Sequence, residues 1–538
     1  MVKDNTGPNW TARMIIAFGL VLAVAGGLWL FDKASREIAI VVDRVSRGIA
    51  SQAACEKAGG DEAIAACTWV IDSGHLRGHE LAVEYYNRGI EYKHKGDLDR
   101  AIADYTEAIR LDPGYQHAYQ NRGVAYDAKG DLDRAIADDT AAIRLDPTDK
   151  DPYNNRGIAY KAKGDLDRAI ADYNEAIRLD PEFEHAYFNR GLAYNANGDH
   201  DRAIADYTEA IRLDPSDVDP YTNRGNTYKA KGDLDRAIAD YTEAVRVAPT
   251  SAMAYFNRGL AYDAKGDHDR AIADYTEAIR VDPRHEDAYN NRGDAYIAKG
   301  DFDRAIADYT EAIRLDPTDK DPYNNRGVAY EAKGDLDRAI ADHSEAIRLA
   351  PKFAVAYVNR GNAYRAKDDL ARAIADYDQA IRLDPKKLSA YLSRGRANLY
   401  AGALPKALAD FEQASALDPK DAYAALWLDI ANRRSNLPSR LADAAARIDM
   451  TQWPAPVIRL YLGQMTPEAV LAAADNPAAD TKNGRMCEAN FYTGELDLPP
   501  GKTDDAIRLF RLAAASCPKS FVEYDGANAE LKALGAAQ

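Results

Sequence analysis

The stretch that decides the fold runs from residue 153 to residue 181 and reads YNNRGIAYKAKGDLDRAIADYNEAIRLDP. Its Arg-Gly pair recurs ten times at a constant step of 34 residues, at 88/89, 122/123, 156/157, 190/191, 224/225, 258/259, 292/293, 326/327, 360/361 and 394/395. The closing proline recurs at the same step, from Pro113 to Pro419. A constant period of this length indicates a stacked repeat, and the pattern inside the unit predicts a helical hairpin.

Each unit contains the signals for two helices, numbered from Ala82 as position 1 of the first copy. Tyrosine at position 4, glycine at position 8 and tyrosine at position 11 share one stripe of a first helix. Gly96 ends that helix, Asp97 is placed to cap the second helix, and Pro113 stops the second helix from continuing. Because one hairpin cannot bury its own apolar stripe, we expect the units to stack on one another.

This pattern resembles the tetratricopeptide repeat (TPR) family, in which glycine or alanine at position 8, tyrosine at 11, alanine at 20 and 27 and proline at 32 recur together. The resemblance covers ten repeats over residues 82–419. It implies an all-α, right-handed superhelical solenoid with a concave groove lined by the first helices. Few residues depart from the pattern: Asp139 and His343 replace the aromatic residue at position 24, Asp368 replaces the turn glycine, and Asn398 replaces the tyrosine at 11.

Two opposite charges also recur in all ten repeats. Arginine occupies position 7, from Arg88 to Arg394, and aspartate occupies position 23, from Asp104 to Asp410. A guanidinium group beside packed helices needs a partner for its charge. We therefore expect a ladder of ion pairs within or between repeats, rather than a ligand site at these arginines.

The N-terminus predicts a transmembrane helix. Residues 1–13 read as a short cytoplasmic N-terminus, and residues 14–31 are an uninterrupted apolar run long enough to span a bilayer. The sequence AVA at 23–25 suits a signal peptidase, but the apolar run continues past it, which favours an uncleaved anchor. Residues 32–81 then read as a stem helix and a capping half-repeat, because DEAIA at 61–65 echoes the DRAIA of the repeats.

Two signals disagree about the side of the membrane on which the body lies. Two basic residues precede the span and four follow it, which favours a cytoplasmic body, although long domains are translocated largely regardless of charge. The four cysteines fall into two pairs at hairpin spacing, Cys55 with Cys67 and Cys487 with Cys517, which predicts disulfides and an oxidising compartment. A single-pass protein of the bacterial inner membrane with a periplasmic body is the favoured interpretation. A cytoplasmic body with four buried thiols is the alternative.

After Pro419 the period fades while helical patterning continues, so residues 420–538 predict a helical C-terminal cap that ends in a TPR-like hairpin. This region resembles the C-terminal part of the envelope TPR lipoprotein NlpI in the segments LWL at 426–428, YLG at 461–463, NFY at 490–492 and FVE at 521–523. The resemblance implies an adaptor that docks enzymes of cell-wall turnover. No lipobox cysteine follows the apolar run, so the expected anchor is a helix rather than a lipid.

Composition and motifs argue against several other functions. The net charge of −17 opposes binding to a nucleic-acid backbone, which needs a basic face. The run PGKT at 500–503 lacks the glycine that a phosphate loop needs five residues earlier, and no C-x-x-C spacing suggests zinc. We therefore predict a scaffold that is not an enzyme, with no catalytic residue, metal, cofactor or small-molecule ligand. An enzyme with its site in the C-terminal helices is the alternative from another class.

The candidate binding residues are the asparagines at position 6 of nine consecutive repeats: Asn87, Asn121, Asn155, Asn189, Asn223, Asn257, Asn291, Asn325 and Asn359. Positions 2, 6, 9 and 13 share one face of the first helix, where the variable positions 2 and 9 would add selectivity. An amide offers a donor and an acceptor, so a file of asparagines suits the backbone of an extended peptide. The file resembles the asparagine ladder of O-GlcNAc transferase, which implies capture of extended segments of partner proteins. The alternative is that each asparagine bonds to a neighbouring repeat's backbone or was copied by duplication.

Overall fold

The computed structural model describes residues 51–475, 482–498, 503–518 and 521–536, and these ranges contain helices and no strand. The chain divides into two compact units, one ending at Val247 and the other beginning at Ala248. The predicted anchor at residues 14–31 and the stem before residue 51 lie outside the described ranges. Inside those ranges, no helix combines the length and the apolar character needed to cross a membrane.

The first unit holds a cap and five hairpins. Residues 51–57 are helical and precede α1 (Gly60–Asp72). The hairpins of repeats 1 to 5 follow: α2 (Gly78–His94) and α3 (Leu98–Leu111), α4 (Gln116–Ala128) and α5 (Leu132–Leu145), α6 (Asp151–Ala162) and α7 (Leu166–Leu179), α8 (Glu184–Ala196) and α9 (His200–Leu213), α10 (Val218–Ala230) and α11 (Leu234–Val247).

The second unit holds five more hairpins and the C-terminal region. Repeats 6 to 10 are α12 (Ala252–Ala264) and α13 (His268–Val281), α14 (Glu286–Ala298) and α15 (Phe302–Leu315), α16 (Lys320–Ala332) and α17 (Leu336–Leu349), α18 (Ala354–Ala366) and α19 (Leu370–Leu383), α20 (Leu388–Tyr400) and α21 (Leu404–Leu417). The region after them contains α22 (Ala422–Arg434), α23 (Leu441–Ala445), α24 (Ala455–Tyr461), α25 (Pro467–Ala474), α26 (Lys482–Asp497), α27 (Thr503–Ser516) and α28 (Val522–Ala533).

Each hairpin turns through a residue with left-handed backbone. In repeat 3, Gly164 has a φ of +79°, and the side chain of Asp165 accepts a hydrogen bond from the backbone N–H of Arg168, which caps α7. Asp368 takes the place of the glycine in repeat 9 with a φ of +64°, a conformation that aspartate tolerates better than most residues. The predicted turn therefore forms even where the glycine is missing.

The two helices of a hairpin approach closely where a glycine faces a tyrosine ring. A Cβ atom on Gly157 would lie 2.6 Å from Cε1 of Tyr173, so only glycine fits against that ring. Ala169 and Ala176, at positions 20 and 27, are fully buried in the same interior. One large ring and several small residues thus fill each hairpin at the density of a protein core.

The predicted ladder of ion pairs is confirmed. Nε and Nη2 of Arg156 donate to the two carboxylate oxygens of Asp172 at 2.8 and 2.7 Å, and Nη1 donates to the hydroxyl of Thr140 at 3.1 Å. Arg156 therefore joins the second helix of its own repeat to that of the preceding repeat. The same ion pair forms in the other nine repeats: Arg88–Asp104, Arg122–Asp138, Arg190–Asp206, Arg224–Asp240, Arg258–Asp274, Arg292–Asp308, Arg326–Asp342, Arg360–Asp376 and Arg394–Asp410.

The cap helix α1 takes the place of a second helix before repeat 1. Nη1 of Arg88 donates to the hydroxyl of Thr68 in α1 at 3.0 Å, the bond that Arg156 makes to the preceding repeat. Lys95 also pairs with Asp61, as the lysines at the same position do in later repeats. The cap thus continues the contacts of the repeats and covers the apolar face of the first hairpin.

The four cysteines form two disulfides. Cys55 is bonded to Cys67 with a Cα–Cα distance of 4.7 Å, and Cys487 is bonded to Cys517 with a Cα–Cα distance of 4.8 Å. The first bond ties residues 51–57 to α1, and the second ties α26 to the end of α27. Both disulfides therefore pin the helices that close the two ends of the described chain.

Repeat 10 shares one large core with the C-terminal region. Trp427 of α22 is fully buried, with its ring 5.9 Å from that of Phe411 in α21 and 5.8 Å from that of Phe491 in α26. This core contains more large side chains than the hairpin interiors, which are filled mainly by alanine and one ring. The C-terminal helices are therefore a packed extension of the last repeat.

Candidate binding groove

The first helices form one continuous face in each unit. In the first unit α2 contacts α4, α4 contacts α6, α6 contacts α8 and α8 contacts α10. In the second unit the first helices from α12 to α20 contact one another in the same order. Because successive first helices contact one another, they lie on the inner side of each stack. The side chains between them line a groove.

Four of the candidate asparagines bond to a side chain that sequence reasoning overlooked. Their Nδ2 atoms donate to position 5 of the preceding repeat, which is 35 residues earlier. The bonds are Asn121 to Tyr86 Oη at 3.0 Å, Asn189 to Asn154 Oδ1 at 3.0 Å, Asn325 to Asn290 Oδ1 at 3.3 Å and Asn359 to Asn324 Oδ1 at 3.0 Å. Positions 5 and 6 of successive repeats thus form an amide network across the first helices.

The remaining asparagines divide into two kinds. Asn223 and Asn291 donate to backbone carbonyls four residues earlier in their own helices, at 2.9 and 2.8 Å. The side chains of Asn87, Asn155 and Asn257 make no hydrogen bond to any described residue. Six of the nine asparagine side chains therefore bond to other groups of the fold, and three do not.

The amide oxygens are less engaged than the amide nitrogens. Asn121 Oδ1 accepts from Lys93 Nζ at 2.7 Å, and Asn325 Oδ1 accepts from Asn324 at 3.4 Å. Among the described residues, the Oδ1 atoms of Asn189, Asn223 and Asn359 accept no hydrogen bond. These oxygens can accept from the backbone N–H groups of a bound segment.

Polar residues at position 9, which were predicted to face the groove, also bond inward to their own hairpin. Asn226 Oδ1 accepts a hydrogen bond from the hydroxyl of Tyr241 at 2.7 Å, and Asp294 Oδ1 accepts from the hydroxyl of Tyr309 at 2.7 Å. These side chains therefore satisfy the buried tyrosine of their own hairpin. Asp294 still borders the groove, because its Oδ1 atom also accepts from Nδ2 of Asn325 at 3.1 Å. Tyr207, whose repeat has a leucine at position 9, has a buried hydroxyl without a partner.

Position 12 adds charged groups that sequence reasoning also overlooked. Burial lowers the pKa of Lys93 and Lys161 in the first unit. In the second unit, burial raises the pKa of Glu331 to about 7. Positions 5, 9 and 12 are spaced by four and three residues and so share one face of the helix. Helical periodicity alone could therefore have grouped them.

Acidic groups dominate the first helices of repeats 7 and 8. Asp294 has its pKa raised to about 6, chiefly by burial and further by the nearby charges of Asp263 and Asp321. Asp287 is exposed at position 2 of repeat 7. This part of the groove therefore has a negative potential that favours cations.

Among the described residues, a cavity and a buried carboxylate outside this part of the groove also resemble sites. A cavity of about 670 Å³ in the C-terminal region is lined by Glu412, Asp429 and Arg440 among others, without a histidine or cysteine in its wall. The carboxylate of Glu84 is buried beside Cys55 and Cys67, and burial raises its pKa to about 7. Because both sulfur atoms belong to a disulfide, they offer no thiolate to a metal ion.

Several solved structures are similar to this chain. The crystal structure of yeast Tom70 is 18% identical and matches 72% of this chain and 95% of that chain, with a TM-score of 0.38. The MamA protein is 28% identical over 31% of this chain and 92% of that chain, with a TM-score of 0.30. YrrB, described as a TPR protein with an unusual peptide-binding site, is 26% identical over 34% of this chain and 95% of that chain, also with a TM-score of 0.30.

Family models match nearly every repeat. Models described as tetratricopeptide repeat match residues 82–115, 116–149, 154–218, 222–286, 274–307, 321–353 and 354–387, and one described as TPR repeat matches residues 293–334. Together they extend from residue 82 to residue 387, more than half of the 538 residues. With the hairpins, their turns and the stacking of first helices in place, this protein belongs to the tetratricopeptide repeat family.

Proposed function

We propose that this protein is a non-catalytic scaffold that holds partner proteins by extended segments laid along the first helices. A TPR solenoid is a protein-interaction fold, so its partners are proteins. The observation that supports extended segments is the file of position-6 amides, in which Asn155 has no described partner and Asn189 and Asn223 have unengaged oxygens. Such oxygens accept from peptide N–H groups whatever the sequence of the segment.

Charge supports a preference among segments. The first helices of repeats 7 and 8 present Asp287, Asp294 and Asp321, so a segment that docks there is expected to carry lysine or arginine. A bound cation would offset the repulsion between Asp294 and the neighbouring carboxylates that raise its pKa. The first unit has charges of both signs along its groove and is expected to select less by charge.

The asparagine file is tested by replacing Asn155, Asn189 and Asn223 together with alanine in the full chain. The probe is a set of short unstructured peptides selected against the wild-type chain from a displayed library. We expect affinity to fall by on the order of tenfold or more, because several backbone hydrogen bonds are lost together. The midpoint of thermal unfolding should change little, since only Asn189 and Asn223 lose a described bond.

A matched control replaces Glu175 and Arg178, an exposed ion pair on the second helix α7, with alanine. This variant should bind the peptides as the wild-type chain does. If instead the asparagine variant loses stability while it keeps its affinity for the peptides, the file is structural and the proposal is wrong.

We further propose that residues 14–31 anchor the protein in the bacterial inner membrane with its body in the periplasm. The apolar run supports the anchor, and the disulfides at both ends of the described chain favour an oxidising compartment. Fusions of alkaline phosphatase and of a fluorescent protein after Gln538 test the side. Phosphatase activity without cytoplasmic fluorescence is expected, and bright cytoplasmic fluorescence without phosphatase activity would place the body in the cytoplasm.

A further inference from the structure

The last helix of the chain lies on the inner face of repeats 9 and 10. α28 contacts α20, the first helix of repeat 10. Arg365 of α18 donates to Oδ2 of Asp525 at 2.6 Å, and Asp368 pairs with Lys532 near the end of α28. The chain itself therefore occupies the groove at this end of the second unit.

The groove has a different lining in these two repeats. Position 13 is Tyr400 in repeat 10, where repeats 2 to 9 have alanine. A Cβ atom on Gly526 would lie 2.6 Å from Oη of Tyr400, so the backbone of α28 rests directly on this tyrosine. Position 12 of repeat 9 is Arg365 and position 9 of repeat 10 is Arg396, so two cations replace the acidic groups of repeats 7 and 8.

The two faces of α28 have different neighbours. On one face, Glu523 accepts a hydrogen bond from Tyr492 at 3.0 Å and Glu530 pairs with Arg434 at 2.8 Å, both within the C-terminal region. The other face carries Asp525, which meets the groove at Arg365, and Lys532, which meets the hairpin turn of repeat 9 at Asp368. These two residues are seven apart, and residues seven apart lie on one stripe of a helix.

The groove face of α28 fills the groove only in part. A cavity of about 310 Å³ lies between this face and the groove, lined by Arg365, Leu370, Tyr400, Asp525 and Asn528 among others. This space is open to solvent, so part of the groove beside α28 stays accessible to a ligand. The ion pairs of Asp525 and Lys532 therefore add to the contact between Gly526 and Tyr400 in holding α28 against the groove.

The cationic groups of this groove are not fully satisfied by α28. The side chain of Arg365 is 6% exposed, and its Nε atom is buried without a hydrogen-bond partner among the described residues. The Nε atom of Arg396 is buried without a partner in the same way. A ligand with more carboxylates along one stripe would satisfy donors that α28 leaves unpaired.

We propose that the groove of repeats 9 and 10 is a docking site for an acidic amphipathic helix of a partner protein, and that α28 occupies it until the partner displaces α28. This site recognises a helix that carries negative charge, whereas the asparagine file recognises an extended backbone. It therefore goes beyond the proposed function, and either proposal can fail without the other.

The test reverses the charges on the groove face of α28 in the full chain, with Asp525→Lys and Lys532→Glu together. The probe is a fluorescent synthetic peptide with the native sequence of residues 521–536. We expect this peptide to bind the reversed chain on the order of tenfold more tightly than the wild-type chain, because the internal helix no longer competes. Amide hydrogen exchange in α28 should become faster at the same time.

Two further variants make the result specific. Adding Arg365→Glu to the reversed chain should abolish binding, since the groove then repels the peptide. Reversing Asp505 and Arg508, an exposed pair on α27, changes the same charges away from the groove and should leave binding at the wild-type level. The proposal is wrong if the reversed chain binds the peptide no better than the wild-type chain does, whether or not α28 exchanges faster. It is also wrong if Arg365→Glu leaves binding unchanged.

Discussion

Asp139 lies against Gly123 in the interior of repeat 2, with its Oδ1 atom 3.1 Å from the position that a Cβ atom on Gly123 would take. In repeat 3 the ring of Tyr173 fills the equivalent place beside Gly157. Asp139 is 1% exposed, its Oδ1 atom has no hydrogen-bond partner, and burial raises its pKa to about 8. Repeat 2 therefore buries a carboxyl group where its neighbours bury an aromatic ring.

Replacing Asp139 with tyrosine is expected to stabilise the first unit by about 2–4 kcal/mol. The variant removes an unsatisfied polar group and buries a ring that the hairpin is shaped to hold. Urea denaturation followed by circular dichroism measures the change. Asp167→Tyr, on the exposed surface of α7, is the control and should leave stability nearly unchanged. A destabilised Asp139→Tyr chain would mean that repeat 2 has adapted its packing to the carboxyl.

The hairpins and their ion pairs could be predicted from the sequence because each depends on local spacing. Arg156 and Asp172 are sixteen residues apart in every copy, and a hairpin brings such positions together across two helices. The N-terminal cap was also predictable, because Asp61 stands in the register of a second helix.

The details of the groove could not be predicted because they depend on side-chain direction between repeats. Asn189 reaches Asn154 across 35 residues, and only the stacking distance of first helices brings these two amides together. Asn226 turns into its own hairpin because the hydroxyl of Tyr241 needs an acceptor there. The contact between Arg365 and Asp525 spans 160 residues and crosses the non-repeating C-terminal region, so no periodicity encodes it.

The unfolding of the first unit should depend on pH through Asp139. Its folded pKa of about 8 lies above the unfolded value of about 3.9, so the folded state keeps a proton that the unfolded state releases. Stability is therefore lost as pH rises from about 4 to about 8. Asp139→Asn removes this dependence, so the difference in unfolding midpoint between variant and wild type should grow over that range. Parallel midpoint curves would contradict the buried, protonated carboxyl.

His343 should give the opposite dependence in the second unit. Its ring is fully buried beside Gly327 with neither nitrogen bonded, and burial lowers its pKa to about 3. The unfolded histidine takes up a proton below pH ~6.5, whereas the folded histidine stays neutral, so stability is lost as pH falls from about 6.5 to about 3. His343→Phe should stabilise the second unit most at acidic pH. An advantage of the variant that does not change with pH would show that the histidine contributes through shape alone.

The ion-pair ladder should be much more important to stability than the exposed pairs beside it. Arg156→Ala leaves the buried Asp172 without its partner and is expected to cost about 3 kcal/mol or more. Arg168→Ala removes an arginine that is 63% exposed and is expected to cost less than about 1 kcal/mol. Arg156→Lys should recover little, because an ammonium cannot make two parallel bonds to the carboxylate and a third to Thr140. Equal losses for Arg156→Ala and Arg168→Ala in denaturant titrations would refute this ranking.

A double-mutant cycle can measure the bond between Asn226 and Tyr241. Asn226→Leu should cost about 1–2 kcal/mol, because it leaves the buried hydroxyl of Tyr241 unpaired. Adding Tyr241→Phe removes that hydroxyl and should restore most of the loss, so the two changes are expected to be non-additive by about 1 kcal/mol. Leu192→Asn is the converse test in repeat 4, where it offers an acceptor to the unpaired hydroxyl of Tyr207. If the two single changes simply add in urea denaturation, the hydrogen bond makes no net contribution to stability. The identity of the residue at position 9 is then not determined by the hairpin interior.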